Sequence, residues 1–436
     1  MAKHESSLPK AWLLIPAMLA MCVNALAEEC IPAWNAFSSG GQIGLTGQVR
    51  SLAVYQGDLY VGGQIETAGG QEINHIMRWD GEQWKVLEAG GQVGVGSSQS
   101  VSGGLNVWAM AVWQDKLVVG GSFLTAGGQE INRIALWDGT DWFPLISVDD
   151  SDEEFIGIGS GANRVVYALL VRGDDLVVGG FFEKAGHETV NAIVKRVGSN
   201  WQPFVAADGQ IGIGDVRRVY ALSEWQGDLI VGGNFRVLGQ APNNTTVNYI
   251  TRWSGSDWET LSSGGEVGVG GPTTSTRVRV LHQHDDSLFA GGRFDTAGGQ
   301  TANHIARWDG EEWHPLTANG VNGVSNDPDI ISANPQIQAM VEYEGDLIVA
   351  GLFTHAGGQV VNHIARWDGE NWHPFVSGED IGMQATVQAV DVQDDTLIAG
   401  GVFNLAGGKE VRRVASWDGC RDDNPDPIFY SNFEAP

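Results

Sequence analysis

The sequence predicts an all-β protein built from seven copies of a four-stranded unit, and three observations lead to this fold class. A glycine-ended pattern like "GDLYVGG" recurs seven times, at intervals of 50 to 59 residues. Each copy divides into four short β-rich runs joined by turn signals. No copy has the 3.6-residue periodicity and caps of a helix. Four strands per unit, repeated seven times, are typical of a β-propeller.

The unit at residues 107–145 shows each predicted element in order. "VWAMAV" and "KLVVGGSF" are the first two strands, joined by a tight turn at Asp115. "LTAGGQE" is expected to be a loop. "INRIALW" is the third strand, and an Asp-Gly turn leads into the fourth strand, "WFPL". The first-to-second and third-to-fourth turns are short in every unit, so the longer loops should share the opposite face.

Repeated side chains are interpreted as structural, because a catalytic group is needed once and a packing residue is needed in every unit. The stretch "NHIARWDG" occurs twice, and its asparagine and tryptophan recur in most units. The histidine after the asparagine varies between units, which predicts a solvent-exposed position. These positions are His75, Arg133, Ala192, Tyr249, His304, His363 and Arg413. His282 and His284 in "HQH" could chelate a metal, but a solvated turn is the favoured interpretation.

The ends of the chain are expected to complete one unit together. The last unit stops at "RRVASWDGC" without a fourth strand, and residues 30–44 match the fourth-strand region of the first unit, with Trp34 as its tryptophan. The N-terminal segment should therefore supply the outer strand of the last blade. Cys30 and Cys420 flank the cut turn, and we expect them to form a disulfide.

Residues 1–27 have the features of a signal peptide: lysines before a short apolar run and a small-residue cleavage pattern. The chain should therefore be secreted, periplasmic or on the cell surface. The propeller is expected over residues 28–420, followed by an Asp/Pro-rich tail at 421–436. No later segment is apolar enough to span a membrane. A formal net charge of -28 disfavours nucleic acid as a partner.

The repeat resembles kelch-type repeats. The likeness rests on a di-glycine ending the second strand, an aromatic closing the third and a tryptophan opening the fourth, here Gly120-Gly121, Trp137 and Trp142. It covers residues 30–420 and departs in using Trp-Asp-Gly where many kelch units have Tyr-Asp. The residue pattern of the unit is also similar to repeats of secreted bacterial proteins and of fungal cortical polarity markers. The resemblance implies a seven-bladed kelch-like propeller, a fold that mostly serves as a binding scaffold and less often as an enzyme.

The sequence carries no recognisable catalytic, metal or cofactor motif, so no cofactor is expected. Acidic residues cluster in the segment at 147–155, and a cationic or calcium-bridged partner is one interpretation of this candidate binding loop. Solubilising charge is the alternative. The candidate residues are Asp149, Asp150, Asp152, Glu153 and Glu154.

The predicted function is a secreted, monomeric, non-enzymatic scaffold that binds a protein or a glycan on the face with the inter-blade loops, since loops on a rigid scaffold usually carry binding residues. An extracellular carbohydrate-active hydrolase or lyase using the channel mouth is the alternative. A structural cell-surface protein is the third possibility. Acids or histidines that break the repeat at the channel mouth would favour the enzyme, whereas exposed aromatics would favour binding.

Overall fold

The computed structural model describes residues 31–97, 104–159, 164–214, 218–238, 244–271, 275–327 and 334–419. The predicted signal peptide at 1–27, both cysteines of the predicted disulfide, Cys30 and Cys420, and the tail at 421–436 lie outside the described residues. Within those residues the fold is all-β and β-propeller-like, with repeated antiparallel sheets and no helix. Accordingly, the described part of the chain holds no helix that is long and apolar enough to cross a membrane.

The described strands form seven larger antiparallel sheets, each with a path of four strands. We number them sheet 1 to sheet 7 in chain order of their first strands. Sheet 1 contains Leu45–Tyr55, Asp58–Ala68, Ile76–Trp79 and Trp84–Val86, and sheet 2 contains Val107–Trp113, Lys116–Gly121, Ile134–Trp137 and Trp142–Pro144. Sheet 3 contains Val165–Arg172, Asp175–Phe181, Ile193–Val197 and Asn200–Pro203, and sheet 4 contains Val219–Trp225, Asp228–Gly233, Ile250–Trp253 and Trp258–Glu259.

Sheets 5 to 7 follow the same order, except that the fourth strand of sheet 7 comes from the start of the described chain. Sheet 5 contains Arg277–His284, Ser287–Arg293, Ile305–Trp308 and Trp313–Pro315, and sheet 6 contains Gln336–Tyr343, Asp346–Leu352, Ile364–Trp367 and Trp372–Pro374. Sheet 7 contains Val387–Gln393, Thr396–Gly401, Val414–Asp418 and Ala33–Ala36. The N-terminal strand pairs with Val414–Asp418 as the predicted outer strand, with Trp34 opposite Trp417.

Short strands occupy the segments that the sequence predicts as loops. "LTAGGQE" is a hairpin of Thr125–Ala126 and Gln129–Glu130 rather than an irregular loop, because Gly127 and Gly128 adopt the positive φ of a tight turn. Strands of this kind are Ser38–Ser39, Gln42–Ile43, Gln71–Glu72, Glu88–Ala89, Gln92–Val93, Val95–Gly96, Thr125–Ala126, Gln129–Glu130, Ile146–Val148, Glu154–Ile156, Lys184–Ala185, Glu188–Thr189, Val237–Leu238, Thr245–Thr246, Ser262–Ser263, Glu266–Val267, Val269–Gly270, Thr296–Ala297, Gln300–Thr301, Thr317–Ala318, Val321–Asn322, Val324–Ser325, His355–Ala356, Gln359–Val360, Val376–Ser377, Asp380–Ile381, Leu405–Ala406 and Lys409–Glu410.

The two longer kinds of loop lie side by side, as the sequence predicts. The segment Val95–Gly96, which follows sheet 1, pairs with Thr125–Ala126 from the second-to-third connection of sheet 2. The same pairing recurs where Val269–Gly270 meets Thr296–Ala297 and where Val324–Ser325 meets His355–Ala356. These loops therefore form one face of the molecule, on which their backbone groups satisfy each other.

The hydrophobic core lies between neighbouring sheets. Buried apolar side chains of the described residues form seven clusters, and each cluster joins two sheets. One of them joins sheets 7 and 1, because Val49 and Leu59 pack with Ile398 and Val414. The first strand of each sheet also lies against the first strand of the next, and that of sheet 7 contacts that of sheet 1.

Hydrogen bonds connect the same neighbours at the ends of several first strands. The Tyr55 hydroxyl donates to the carbonyl of Asp115 at 2.8 Å, and the Trp113 indole donates to the carbonyl of Asp174 at 2.8 Å. In sheet 7 the amide of Gln393 donates to the carbonyl of Gly57, in sheet 1, at 2.7 Å. Each acceptor lies in the tight first-to-second turn of the neighbouring sheet.

The variable position after the repeated asparagine is not solvent-exposed, so that prediction is wrong. His75, His304 and His363 have φ of 68, 77 and 73, and Nδ1 of each ring is buried without a hydrogen-bond partner. Burial lowers the pKa of His304 and of His363 to about 4. In sheet 2 the equivalent Arg133 is 2% exposed, and its Nε donates to the carbonyl of Arg164 at 2.9 Å. The residue varies because the packing against the neighbouring sheet varies.

The favoured interpretation of "HQH" is also wrong. His282 and His284 lie in the strand Arg277–His284, and the turn begins only after them. Burial, followed by the charge of His284, lowers the pKa of His282 to about 4. His284 is buried, with Nδ1 3.3 Å from the Glu342 carboxylate of the next sheet. The described residues contain no group of three or more acidic, histidine or cysteine side chains suited to a metal ion.

Candidate ligand-binding site

A cavity of about 150 Å³ lies between the first strands of the seven sheets, and each of these strands contributes one lining residue. We call this set the inner ring. Its members are Arg50, Trp108, Tyr167, Tyr220, Arg279, Gln338 and Gln388. Six of them lie within the first three residues of their strands, and Arg50 is the sixth residue of the longer strand Leu45–Tyr55. Because each first strand follows an inter-blade loop, ligands could reach the ring from the loop-bearing face.

Each inner-ring residue lies at a β-bulge. The pairing of the first and second strands shifts between Val107 and Ala109, which leaves Trp108 as the extra residue, and the same shift recurs in all seven sheets. A bulged residue is released from the ladder, so its side chain can point away from both faces of the sheet. Here the released side chains converge on the cavity.

The repeated glycines make this bulge possible. A Cβ added to Gly233 would lie 2.2 Å from the carbonyl oxygen of Arg218, so only glycine lets the bulged backbone approach closely. The preceding glycine faces the neighbouring sheet, where a Cβ on Gly232 would lie 2.6 Å from the side chain of Val278. The di-glycine signature therefore positions the inner ring, although it takes no part in the cavity itself.

Three aromatic side chains form one wall of the cavity. The rings of Trp108 and Tyr167 lie 5.3 Å apart, and those of Tyr167 and Tyr220 lie 5.1 Å apart. The guanidinium of Arg50 lies 4.2 Å from the Trp108 ring centroid, and that of Arg279 lies 5.7 Å from the same centroid. Arg279 also lies 5.4 Å from the Tyr220 ring. These contacts orient both cations by cation–π attraction.

The two inner-ring arginines have no carboxylate partner among the described residues. Nε of Arg50 donates to Asn106 at 3.0 Å and Nη2 donates to Gln48 at 2.7 Å, so this side chain is held by neutral groups. Burial and then the charge of Arg279 lower the pKa of Arg50 to about 10. Burial and then the charge of Arg277 lower the pKa of Arg279. The site is therefore a partly desolvated pair of cations.

Polar atoms of the inner ring and of the strand that carries Arg279 are unsatisfied. The side-chain oxygen of Gln388 and Nε of Arg277 are buried without a hydrogen-bond partner. Nη2 of Arg277 donates to Gln336 at 3.1 Å, and Arg218 donates to the Tyr220 hydroxyl at 3.4 Å. Buried polar groups are nearly always paired, so unpaired ones in a polar cavity indicate a place where water or a ligand binds.

The candidate acidic loop is a separate feature. Ile146–Val148 pairs with Glu154–Ile156, and the Asp149 carboxylate accepts hydrogen bonds from Ser151 and from the Glu153 backbone within the turn. The hydrogen bond from the Ser151 hydroxyl, followed by those from the backbone, lowers the pKa of Asp149. Asp149 thus fixes the turn, whereas four of the candidate residues are exposed: Asp150, Asp152, Glu153 and Glu154. Of these, only Glu154 borders the groove of about 270 Å³ beside the loop.

Sequence reasoning missed the inner ring, although a signal for it is present. The first strands align as V-x-A or a close variant, as in Val107-Trp108-Ala109 and Val387-Gln388-Ala389. The middle position is large and either aromatic, cationic or an amide in every copy, while both neighbours stay small or β-branched. Strict alternation of inward and outward residues conceals this position, because alternation does not include a bulge.

Comparisons with known proteins give no family for the chain. No family model matches it, and no curated protein matches it. Among solved structures it is similar to the computationally designed Ika8 protein, at 15% identity and a TM-score of 0.41, over 88% of this chain and 99% of that chain. A likeness at this level carries no argument about function.

Proposed function

We propose that this chain is an exported, seven-bladed kelch-like β-propeller that binds a ligand in the cavity lined by the inner ring. One observation carries the proposal. A position that varies between the repeated units is also the position at which all seven sheets contribute a side chain to a single cavity. Scaffold positions stay alike in repeated units, so a converging set of unlike polar and aromatic residues is typical of a binding site.

Contacts between the last and first sheets support seven blades in a closed ring. The Val49 side chain approaches Gly400 of sheet 7, and Gln393 of sheet 7 hydrogen-bonds sheet 1. The strand Ala33–Ala36 completes sheet 7, as closure through the N-terminal segment requires. Its register runs to Ala33 and Asp418, within three residues of Cys30 and Cys420, so the proposed disulfide would fasten the same join.

The composition of the inner ring favours binding over glycoside hydrolysis. Hydrolases of that class generally use two carboxyl groups roughly 5–9.5 Å apart, one as acid and one as base or nucleophile. The seven residues that line the cavity are arginines, aromatics and glutamines, with no acid or histidine among them. Aromatic surface with a few directed donors suits ligand recognition. The proposed ligand is a small molecule, a glycan or the side chain of a protein partner.

The proposal is tested by screening compounds for thermal stabilisation of the mature chain and of the double variant Trp108→Gln/Tyr220→Gln. Glutamine occurs in the ring at Gln338 and Gln388, so it fits the bulge. Ligands that stabilise the wild type should not stabilise the double variant. Phe143→Gln is the matched control, because Phe143 is an exposed aromatic on an outer strand, 39% exposed. Ligands that stabilise the double variant as well as the wild type would place binding outside the inner ring.

A further inference from the structure

We propose that the inner ring binds a small organic anion, with its charged group on Arg279 and Arg50 and its flat body against the aromatic wall. This inference rests on the proposed function and names the ligand class. The aromatic wall consists of Trp108, Tyr167 and Tyr220, as described above.

The charge of the cavity opposes that of the whole chain. The formal net charge is -28, yet the cavity is lined by two arginines and no acid, and the charge of Arg277 further lowers the pKa of Arg279. The charge of Arg279 lowers the pKa of Arg50, and an anion bound beside the two cations would offset that repulsion.

Arg279 has the donors that an anion needs. No hydrogen bond or ion pair joins its guanidinium to another described residue, whereas two nitrogens of Arg50 are already engaged. A free guanidinium presents a planar fork that matches a carboxylate with two parallel hydrogen bonds. Arg50 is held in place and adds charge, while Arg279 makes the bidentate contact.

The carboxyl group of Asp391 does not act as the counter-ion of the two inner-ring arginines. Asp391 lies three residues after Gln388 on the same strand, and its carboxylate accepts a hydrogen bond from the backbone N–H of Val392. Burial raises the pKa of Asp391, which favours its neutral form relative to an exposed aspartate. It forms no ion pair with either inner-ring arginine.

The cavity also limits the size and shape of the ligand. A cavity of roughly 150 Å³ can hold a molecule the size of benzene. The aromatic wall offers a flat face, and the hydroxyl of Tyr167 together with the amides of Gln338 and Gln388 can reach polar substituents. The unpaired side-chain oxygen of Gln388 would accept a hydrogen bond from a ligand N–H or O–H. A small ring with one carboxylate fits all of these features.

The test is calorimetric titration of the mature chain with benzoate in a low-salt, chloride-free buffer. Benzamide serves as the neutral isostere, and acetate tests the charge without the ring. We expect benzoate to bind at least about tenfold more tightly than benzamide or acetate, since a charge-assisted hydrogen bond is worth about 1.5–3 kcal/mol. Arg279→Gln should weaken benzoate by about tenfold or more, and Arg279→Lys should recover part of the loss.

Arg412→Gln is the matched control, because Arg412 is an exposed arginine that pairs with Glu410 away from the inner ring. It should leave benzoate affinity unchanged. Circular dichroism confirms that each variant is folded. Equal affinity for benzoate and benzamide, no effect of Arg279→Gln, or no binding of benzoate to the wild type would each overturn the anion proposal. If neutral compounds from the screen still depend on Trp108 and Tyr220, the proposed function stands without it; if no ligand depends on the ring, both proposals are wrong.

Discussion

The tryptophan pairs of the outer strands and the bulge residues of the inner strands occupy equivalent positions in successive sheets, but only the tryptophans are repeated. Trp308 and Trp313 are 5% and 0% exposed, and their rings lie 5.3 Å apart. The same pair recurs as Trp137 with Trp142. The bulge residues, by contrast, change between arginine, aromatic and glutamine. The repeated tryptophans mark what every sheet needs for packing, and we propose that the varied bulge residues together form one binding site.

The largest expected effect is the loss of stability when the second glycine of a di-glycine pair is replaced. Gly233→Ala should destabilise the chain severely, by about 3 kcal/mol or more, because its Cβ meets backbone that cannot move aside. Gly232→Ala is the control and should cost about 1 kcal/mol or less, since sheet 6 already has Ala350 at this position. Urea denaturation measures both values. Equal losses would mean that the second glycine is not required for the bulge.

The next effect compares two tryptophans directly. Trp308→Ala should lower the free energy of unfolding by about 3–5 kcal/mol, the usual loss for a buried aromatic side chain. Trp108→Ala should lower it by less than half as much, because Trp108 borders the cavity and is only partly buried. Chemical denaturation of the two variants checks this. A larger loss for Trp108 would assign the inner ring a structural role.

Acid should destabilise the chain through its buried histidines. The pKa of His282, His304 and His363 is about 4, below the ordinary value of about 6.5 in an unfolded chain. The unfolded state therefore binds protons first, so stability is present above pH 6.5 and is lost as pH falls from about 6.5 to about 4. Melting curves across this window test the sign. His304→Ala, which matches the native Ala192 of sheet 3, should reduce the slope; an unchanged slope would show that this ring does not contribute.

The smallest effect concerns the acidic loop. Neutralising Asp150, Asp152, Glu153 and Glu154 together should change the melting temperature less than Asp149→Ala alone, because only Asp149 holds the turn. Adding calcium should not change these differences in melting temperature, since the carboxylates do not gather into a metal site among the described residues. If the fourfold variant lost binding of ligands found in the screen, the loop would be part of the site after all. Asp149→Asn, which keeps the acceptor oxygen, is the control for the turn.

Much of the scaffold could be predicted because the same residues recur at the same positions of each unit. The four strands of each unit, the longer loops on a common face and the pairing of the N-terminal segment with the last strand all follow from comparing copies, and the structure contains each of them. The short hairpins inside the loops were missed, because a Gly-Gly pair between polar residues is equally typical of an irregular turn.

The site could not be predicted in the same way. His304 is buried on a left-handed backbone, and periodicity does not report φ. The inner ring depends on a one-residue bulge, which shifts Trp108 out of the alternation that strand reasoning uses. The first error came from treating variability as solvent exposure, and the second came from assuming strict alternation along the first strand.

The central claim is that the bulge residues serve the cavity and not the fold, and replacing the ring tests it most directly. The fivefold variant Arg50→Gln/Trp108→Gln/Tyr167→Gln/Tyr220→Gln/Arg279→Gln gives all seven positions the residue that Gln338 and Gln388 already have. Its free energy of unfolding should be measured by urea denaturation beside that of the single variant Gly233→Ala. We predict that the fivefold variant unfolds cooperatively and is the more stable of the two. A fivefold variant that is unfolded, or less stable than Gly233→Ala, would contradict the claim.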